Sequence, residues 1–182
     1  MELKIIVPTN IPEFRPIIKR WLELHLTIPY ELVFEQGEPP SGQAVRQKYT
    51  DLWSNDECYI YYHDHDSLIS PEVCDYLNKN LDFIEPKIYM FGQIWFTNGI
   101  KRLNANAENC KPIKCDISQL LVYSKFVNGL KWTNDYHNDG IFISQLFDLH
   151  SDSFVFENDI NAYYNALMPN KGLYNGQIIT IA

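Results

Sequence analysis

Two carboxylates one residue apart, Asp64 and Asp66, close a run of β-branched and aromatic side chains that begins at Tyr59 and reads YIYYHDHD. Side chains of that kind favour strands, so both acids stand just past a strand end. Two aspartates at i and i+2 there reach one hard cation, because carboxylate oxygens suit Mg²⁺ and Mn²⁺. In α/β folds, ligands collect outside the carboxyl ends of strands. Asp64 and Asp66 therefore mark the expected place of a metal-bound phosphate. The alternative role of an acid in such a turn is to cap the next helix, whose start reads Ser70-Pro71-Glu72.

The elements around this turn alternate. Leu3 to Val7 is a short continuous apolar run, as in a buried parallel strand. Glu13 to Leu26 carries Phe14, Ile17, Ile18, Trp21, Leu22 and Leu26 at helical spacing. Tyr30 to Glu35 is the second strand, so strand–helix–strand predicts a right-handed crossover and a parallel pair. Gln36 to Gly42 is a loop by composition, and Gln43 to Trp53 a helix. Cys58 to Tyr62 is the third strand, Ile69 to Leu81 a helix and Lys87 to Trp95 a strand. Asn98 to Lys114 reads as polar and irregular. Ser118 to Val127 fits strand or helix, best a strand followed by a short helix. Gly140 to Leu149 is helical, Ser153 to Glu157 a short strand, Ile160 to Leu167 a terminal helix and Ile178 to Ile181 an edge strand. No repeat, linker or boundary interrupts the chain, so one domain over residues 1–182 is expected.

Composition narrows the function classes. A hydrophobic fraction of 46% with ten Phe, twelve Tyr and four Trp supplies a core and argues against disorder. A net charge of −8 without a basic block disfavours nucleic-acid binding, which needs clustered Lys and Arg. No apolar stretch approaches the roughly 20 residues of a membrane span. The N-terminus reads as a strand rather than a signal peptide. Cys58, Cys74, Cys110 and Cys115 fit no zinc spacing. Cys110 and Cys115 flank a turn and can pair, although scattered reduced thiols in a cytoplasmic protein are the expected reading.

Four features follow one another in a particular order: Val7-Pro8-Thr9-Asn10 at a strand end, Gly42 and Arg46 opening a helix, Asp64-His65-Asp66 after a strand, and Asn138-Asp139-Gly140 leading into a helix. This order resembles the GT-A glycosyltransferases, most closely the short family-2-like members that use nucleotide-sugar donors, over about residues 3 to 150. The resemblance implies an α/β, Rossmann-like domain with a mostly parallel central sheet flanked by helices. It implies that Pro8, Thr9 and Asn10 contact the nucleoside, that Gly42 and Arg46 lie beside the nucleotide together with Asp64, and that Asp64 and Asp66 hold Mn²⁺ or Mg²⁺. Asp139 matches the late acidic position that supplies the catalytic base, with Asp135 in reserve. Asp116-Ile117-Ser118-Gln119 resembles a segment near the donor sugar, which makes Asp116 and Gln119 substrate-binding candidates, with Trp132 as a possible stacking surface. His137 and His150 are candidates for a third metal ligand. Two departures stand out. The familiar late Glu-Asp pair is Asn138-Asp139 here, and no Gln-x-x-Arg-Trp motif exists, which argues against a processive synthase.

The chemistry needs these residue types. Sugar transfer from a UDP-, GDP- or dTDP-sugar creates a charged leaving group that a divalent ion stabilises, while a carboxylate takes the proton of the acceptor hydroxyl. The expectation is an inverting, metal-dependent transferase acting on a glycan or other hydroxyl acceptor. The alternatives are a non-catalytic carbohydrate- or nucleotide-binding protein on the same scaffold and a sugar-nucleotidyltransferase. The latter needs a Gly-rich phosphate loop with a basic residue where this chain has Pro8-Thr9-Asn10.

Overall fold

The first apolar run becomes strand β1 (Glu2–Pro8), and its alternation divides the interior in two. Successive side chains of a strand point to opposite faces. Leu3, Ile5 and Val7 therefore join one core cluster and Ile6 the other. The computed structural model describes residues 1–37, 42–81 and 85–167. Within them lie α1 (Phe14–His25), β2 (Tyr30–Glu35), α2 (Gln43–Trp53), β3 (Cys58–Tyr62), α3 (Pro71–Asn80) and β4 (Ile88–Trp95). There follow β5 (Lys101–Leu103), β6 (Leu120–Tyr123), α4 (Asn138–His150) and β7 (Phe154–Tyr164). The expected strand over residues 178–181 lies outside the described residues.

The strands form one sheet in the order β2-β1-β3-β6-β4-β5, with β7 along β4. β1 pairs in parallel with β2 and β3, and β4 in parallel with β7, while β6 runs antiparallel between β3 and β4. Thus β1, β2, β3, β4 and β7 share a direction and only β5 and β6 oppose it. Phe14, Ile18 and Leu22 of α1 and Val73, Cys74 and Leu77 of α3 cover one face. Val45 and Trp53 of α2 and Phe142, Ile143 and Leu146 of α4 cover the other. This is the α/β layering that the alternating elements predict. Among the described residues no helix is long and apolar enough to cross a membrane.

β3 is buried along its whole length. Each large aromatic removed from water contributes about 2–3 kcal/mol, provided its hydroxyl keeps a partner. All three tyrosines do. Tyr59 donates to the Glu85 carbonyl at 2.7 Å, Tyr62 shares a hydrogen bond with Thr50 at 2.7 Å, and Tyr61 donates to the Ser118 carbonyl. The last bond ties β3 to the turn that carries Asp116. Helix α3 starts as its residues dictate: the Ser70 hydroxyl accepts from Val73 N–H at 3.2 Å and Pro71 opens the first turn.

Two elements differ from expectation. Residues 160–167 do not form a helix. Residues 154–164 are one strand, paired with β4 from Ile88↔Phe154 to Trp95↔Tyr164. The register shifts where Phe91 faces Glu157 but Gly92 faces Asn161, so residues 158–160 bulge out. Ile160, Tyr163, Tyr164 and Leu167 stand at a helix-like spacing in the sequence, which pairing with β4 overrides. The second difference is β5, a three-residue strand inside the stretch that reads as irregular. Ser118 to Val127 resolves into a 3₁₀ turn over Ile117–Gln119, then β6, then a second 3₁₀ turn over Ser124–Val127.

Candidate active site

At the carboxyl ends of β1 and β3 the chain opens a cleft of about 540 Å³, within the range of small-ligand pockets. Pro8, Thr9 and Asn10 form one wall. Thr9 is fixed by its N–H to the Glu35 carbonyl at 2.9 Å, and its hydroxyl accepts from Ile11 N–H at 3.1 Å. Gly42 presses the start of α2 onto this wall. Its φ is +67°, and a Cβ there would stand 2.5 Å from Pro8 Cβ, so only glycine fits both demands. One turn later α2 delivers Arg46, whose N–H bonds the Gly42 carbonyl at 3.0 Å.

The β3 end supplies the second wall. His63 N–H donates to the Ile6 carbonyl at 2.9 Å, and Ser67 N–H closes a turn onto the Asp64 carbonyl at 3.1 Å. Asp64, His65 and Asp66 all line the cleft. The His65 ring stacks on Phe14 with centroids 6.1 Å apart. From the opposite side come Asp116 and the first turn of α4, with Asn138 and Asp139. Gly140 lets α4 approach this closely, since a Cβ there would meet Pro112 Cα at 2.7 Å.

Carboxylate oxygens of Asp64, Asp116 and Asp139 lie within 4.8 Å of one another. Arg46 sits among them, 4% exposed. Its Nη2 donates to Asp64 Oδ1 and its Nη1 to Asp139 Oδ1 at 3.4 Å. Its guanidinium lies over Trp132, 5.2 Å from the ring centroid, and Trp132 in turn stacks on Phe142 at 4.2 Å. Burial disfavours the Arg46 charge, but Asp139, Asp64 and Asp116 outweigh it and raise its pKa. Burial raises Asp64 against the pull of Arg46. Burial, opposed by Arg46 and reinforced by Asp64 and Asp116, pushes Asp139 up to about 7. Burial, then Asp64 and Asp116, push Asp66 to about 7 as well. Hard oxygen donors crowded enough to resist ionisation fit Mg²⁺ or Mn²⁺. Cys58, Cys74, Cys110 and Cys115 are buried free thiols that do not line the cleft, which leaves the His65 imidazole as its softer donor.

These shifts carry a pH signature. Asp66 and Asp139 bind protons in the fold at pH values where the unfolded chain, at 3.8, has lost them. Their contribution to stability is complete below about 3.8, falls as pH rises toward 7 and is gone above it. Burial, with His65 second, lowers His63 to about 3, and burial also lowers His65. Both histidines act the other way, but only below about 6.5. The metal-free protein is therefore expected to lose about 1 kcal/mol between pH 6.5 and 8. Thermal melts across that range check this; an unchanged midpoint, or the same slope in Asp66→Asn and Asp139→Asn, sinks it.

Not every sequence candidate reaches the cleft. The structure gathers Pro8, Thr9, Asn10, Gly42, Arg46, Asp64, Asp66, Asp116 and Asp139 around it. Asp66, however, lies outside the converging trio, and Asp116 takes the place beside Asp64. Gln119 is fully buried. Its Oε1 accepts from Asp116 N–H at 3.0 Å and its Nε2 donates to the Phe91 carbonyl at 2.8 Å, which makes it a brace for Asp116. Trp132 supports Arg46 from behind, with its Nε1 on Thr50 Oγ1 at 3.1 Å. Asp135 is exposed and accepts from His137 N–H at 2.7 Å. His150 tilts against Phe126 at the far end of α4, about 16 Å along the axis from Asp139. Gly37 and Tyr164, to which the sequence assigns no role, also line the cleft, as do His65 and Asn138 of the quoted motifs and the aromatic Tyr136. Behind Asp116 stands Arg102, whose Nη1 donates to Asp116 Oδ2 at 3.0 Å.

No family model matches the chain, and no curated protein matches it in sequence. Among solved structures it is similar to the crystal structure of residues 1–349 of TarS from S. aureus, a glycosyltransferase, with a TM-score of 0.52 at 12% identity. That similarity covers 91% of this chain and 58% of the TarS chain, so the chain spans little more than half of that structure. The likeness shows that the two chains share this α/β fold.

Proposed function

We propose that this chain is a cation-dependent glycosyltransferase, taking a sugar from a UDP-, GDP- or dTDP-type donor to an acceptor hydroxyl with inversion. The observation that carries this reading is the convergence of Asp64, Asp116 and Asp139 in a cleft at the carboxyl ends of β1 and β3. Asp64 and Asp66, with Asp116 across the cleft, would hold the cation. A bound Mn²⁺ or Mg²⁺ supplies charge stabilisation for the departing diphosphate. Pro8, Thr9, Asn10 and Gly42 offer the nucleoside a rigid wall whose shape follows from the Gly42 turn. Asp139 takes the acceptor proton; a carboxylate near 7 is matched to that task at neutral pH. Arg46 keeps Asp139 and Asp64 apart and oriented, while Trp132 and Gln119 act from behind the lining.

The test is a thermal-shift series with UDP, GDP and dTDP, each with and without MnCl₂. A ligand at about 100 times its Kd adds about 2.7 kcal/mol, or roughly 5–10 °C for a domain of this size. The rise is expected only when nucleotide and cation are both present, and Asp66→Ala should abolish it. A release assay over a nucleotide-sugar panel then separates reaction classes: nucleoside diphosphate marks a transferase, pyrophosphate a nucleotidyltransferase. Failure of all three nucleotides with Mn²⁺ supplied overturns the reading.

A further inference from the structure

Asp116 is held by a closed circuit of hydrogen bonds that runs through residues far from it in sequence. Arg102 Nη1 donates to Asp116 Oδ2 at 3.0 Å and also to Gln93 Oε1. Gln93 Nε2 donates to Ser118 Oγ at 2.7 Å, and Ser118 Oγ donates back to Asp116 Oδ1 at 2.6 Å. Ser118 N–H adds a second bond to Oδ1 at 3.0 Å. Gln93 is fully buried and Ser118 nearly so, so water does not compete for these partners. The Arg102 guanidinium carbon lies 3.6 Å from the Tyr164 ring centroid and 5.9 Å from that of Trp95. The circuit joins β4, β5, β7 and the turn before β6. A three-residue strand such as β5 contributes little to the sheet by itself, yet it delivers this one side chain.

We infer that Arg102 is a positioning residue that holds Asp116 in place against Asp64 and Asp139, and so sets the cation affinity of the cleft; this rests on the cation-dependent reading above. Without Arg102, Asp116 Oδ2 loses its charged partner, and the two Ser118 bonds to Oδ1 are left to hold the carboxylate against the like charges of Asp64 and Asp139 within 4.8 Å. Partners behind a ligating carboxylate commonly change metal affinity 10- to 100-fold. The sign of the effect separates positioning from mere charge. Arg102 is itself a cation, so deleting it strengthens cation binding if charge alone matters. If Arg102 acts by holding Asp116, deletion weakens binding.

The experiment measures Mn²⁺ affinity by electron paramagnetic resonance of the free ion, without nucleotide, on folded protein verified by circular dichroism. Arg102→Ala is expected to bind Mn²⁺ at least tenfold more weakly, and Arg102→Lys within about threefold of the unaltered protein. Asp116→Asn should show a loss similar to Arg102→Ala, and the double variant no further loss, since the two residues act as one unit. Should Arg102→Ala fail to fold, Arg102→Gln carries the same comparison. Unchanged or tighter Mn²⁺ binding in the Arg102 variant overturns the inference, as do losses that multiply in the double variant. Absence of Mn²⁺ binding by the unaltered protein overturns the cation-dependent reading and this inference with it.

Discussion

Arg46→Met is expected to lower stability by about 3 kcal/mol at pH 8, the order of magnitude for stripping a buried ion pair of one partner. For a domain of this size that is a fall of roughly 6–12 °C in Tm. Methionine keeps the apolar stem on Trp132 but leaves Asp64 and Asp139 facing each other without the guanidinium that both of them contact. Both carboxyls already resist ionisation, and losing the cation pushes them further up. They escape the penalty by taking protons as pH falls. The deficit should therefore shrink to about 1 kcal/mol at pH 5.5. Melting curves of the two proteins at both pH values measure it. An equal deficit at each pH would mean that the loss is one of packing rather than of charge.

Asp139→Asn is expected to slow sugar transfer by about 10³-fold, in the middle of the range for a positioned general base. The amide keeps the shape and a hydrogen-bond acceptor for Arg46 but cannot take the acceptor's proton. Binding of nucleotide with Mn²⁺, read as a thermal shift, should persist. Burial raises this carboxyl to about 7 in the cation-free cleft, and a bound cation lowers it, so transfer by the unaltered protein should rise with pH as the carboxyl ionises, at or below neutrality. Asp135→Asn serves as the comparison. That side chain is exposed and bonded to the His137 N–H, so its replacement should change the rate by less than about threefold. Retained transfer in Asp139→Asn would move the base elsewhere.

How far the residues alone disclose this arrangement depends on the range of the interactions involved. The β3 turn is legible because a buried run of five residues ends abruptly at polar ones, and because Ser70 and Pro71 announce α3 locally. Asp139 comes from the resemblance of Asn138-Asp139-Gly140 to a late acidic motif, since its local pattern alone marks no more than a helix start. The meeting of Asp64, Asp116 and Asp139 is not legible, since no local pattern records which strands become neighbours. Arg102 escaped notice because three residues are too few to show a period. Tyr164 is hidden because it shares a helix-like spacing with Ile160, Tyr163 and Leu167, although the chain there pairs as a strand with β4. Trp132 was visible as an aromatic beside the late acids. Its task as the platform for Arg46 depends on Phe142 and on a helix some 80 residues upstream, which only the folded chain brings together.

The two guanidiniums have a further consequence. Arg46 is shared by Asp64 and Asp139, and Arg102 is committed to Asp116. Asp64, Asp66, Asp116 and Asp139, all ionised, carry two more negative charges than these arginines neutralise. A divalent ion would bring these side chains to electroneutrality before any nucleotide enters, whereas sodium or potassium would leave them anionic and a lanthanide would overshoot. On the cation-dependent reading, valence selectivity would follow from the ratio of acids to arginines, ahead of any fit of ionic radius.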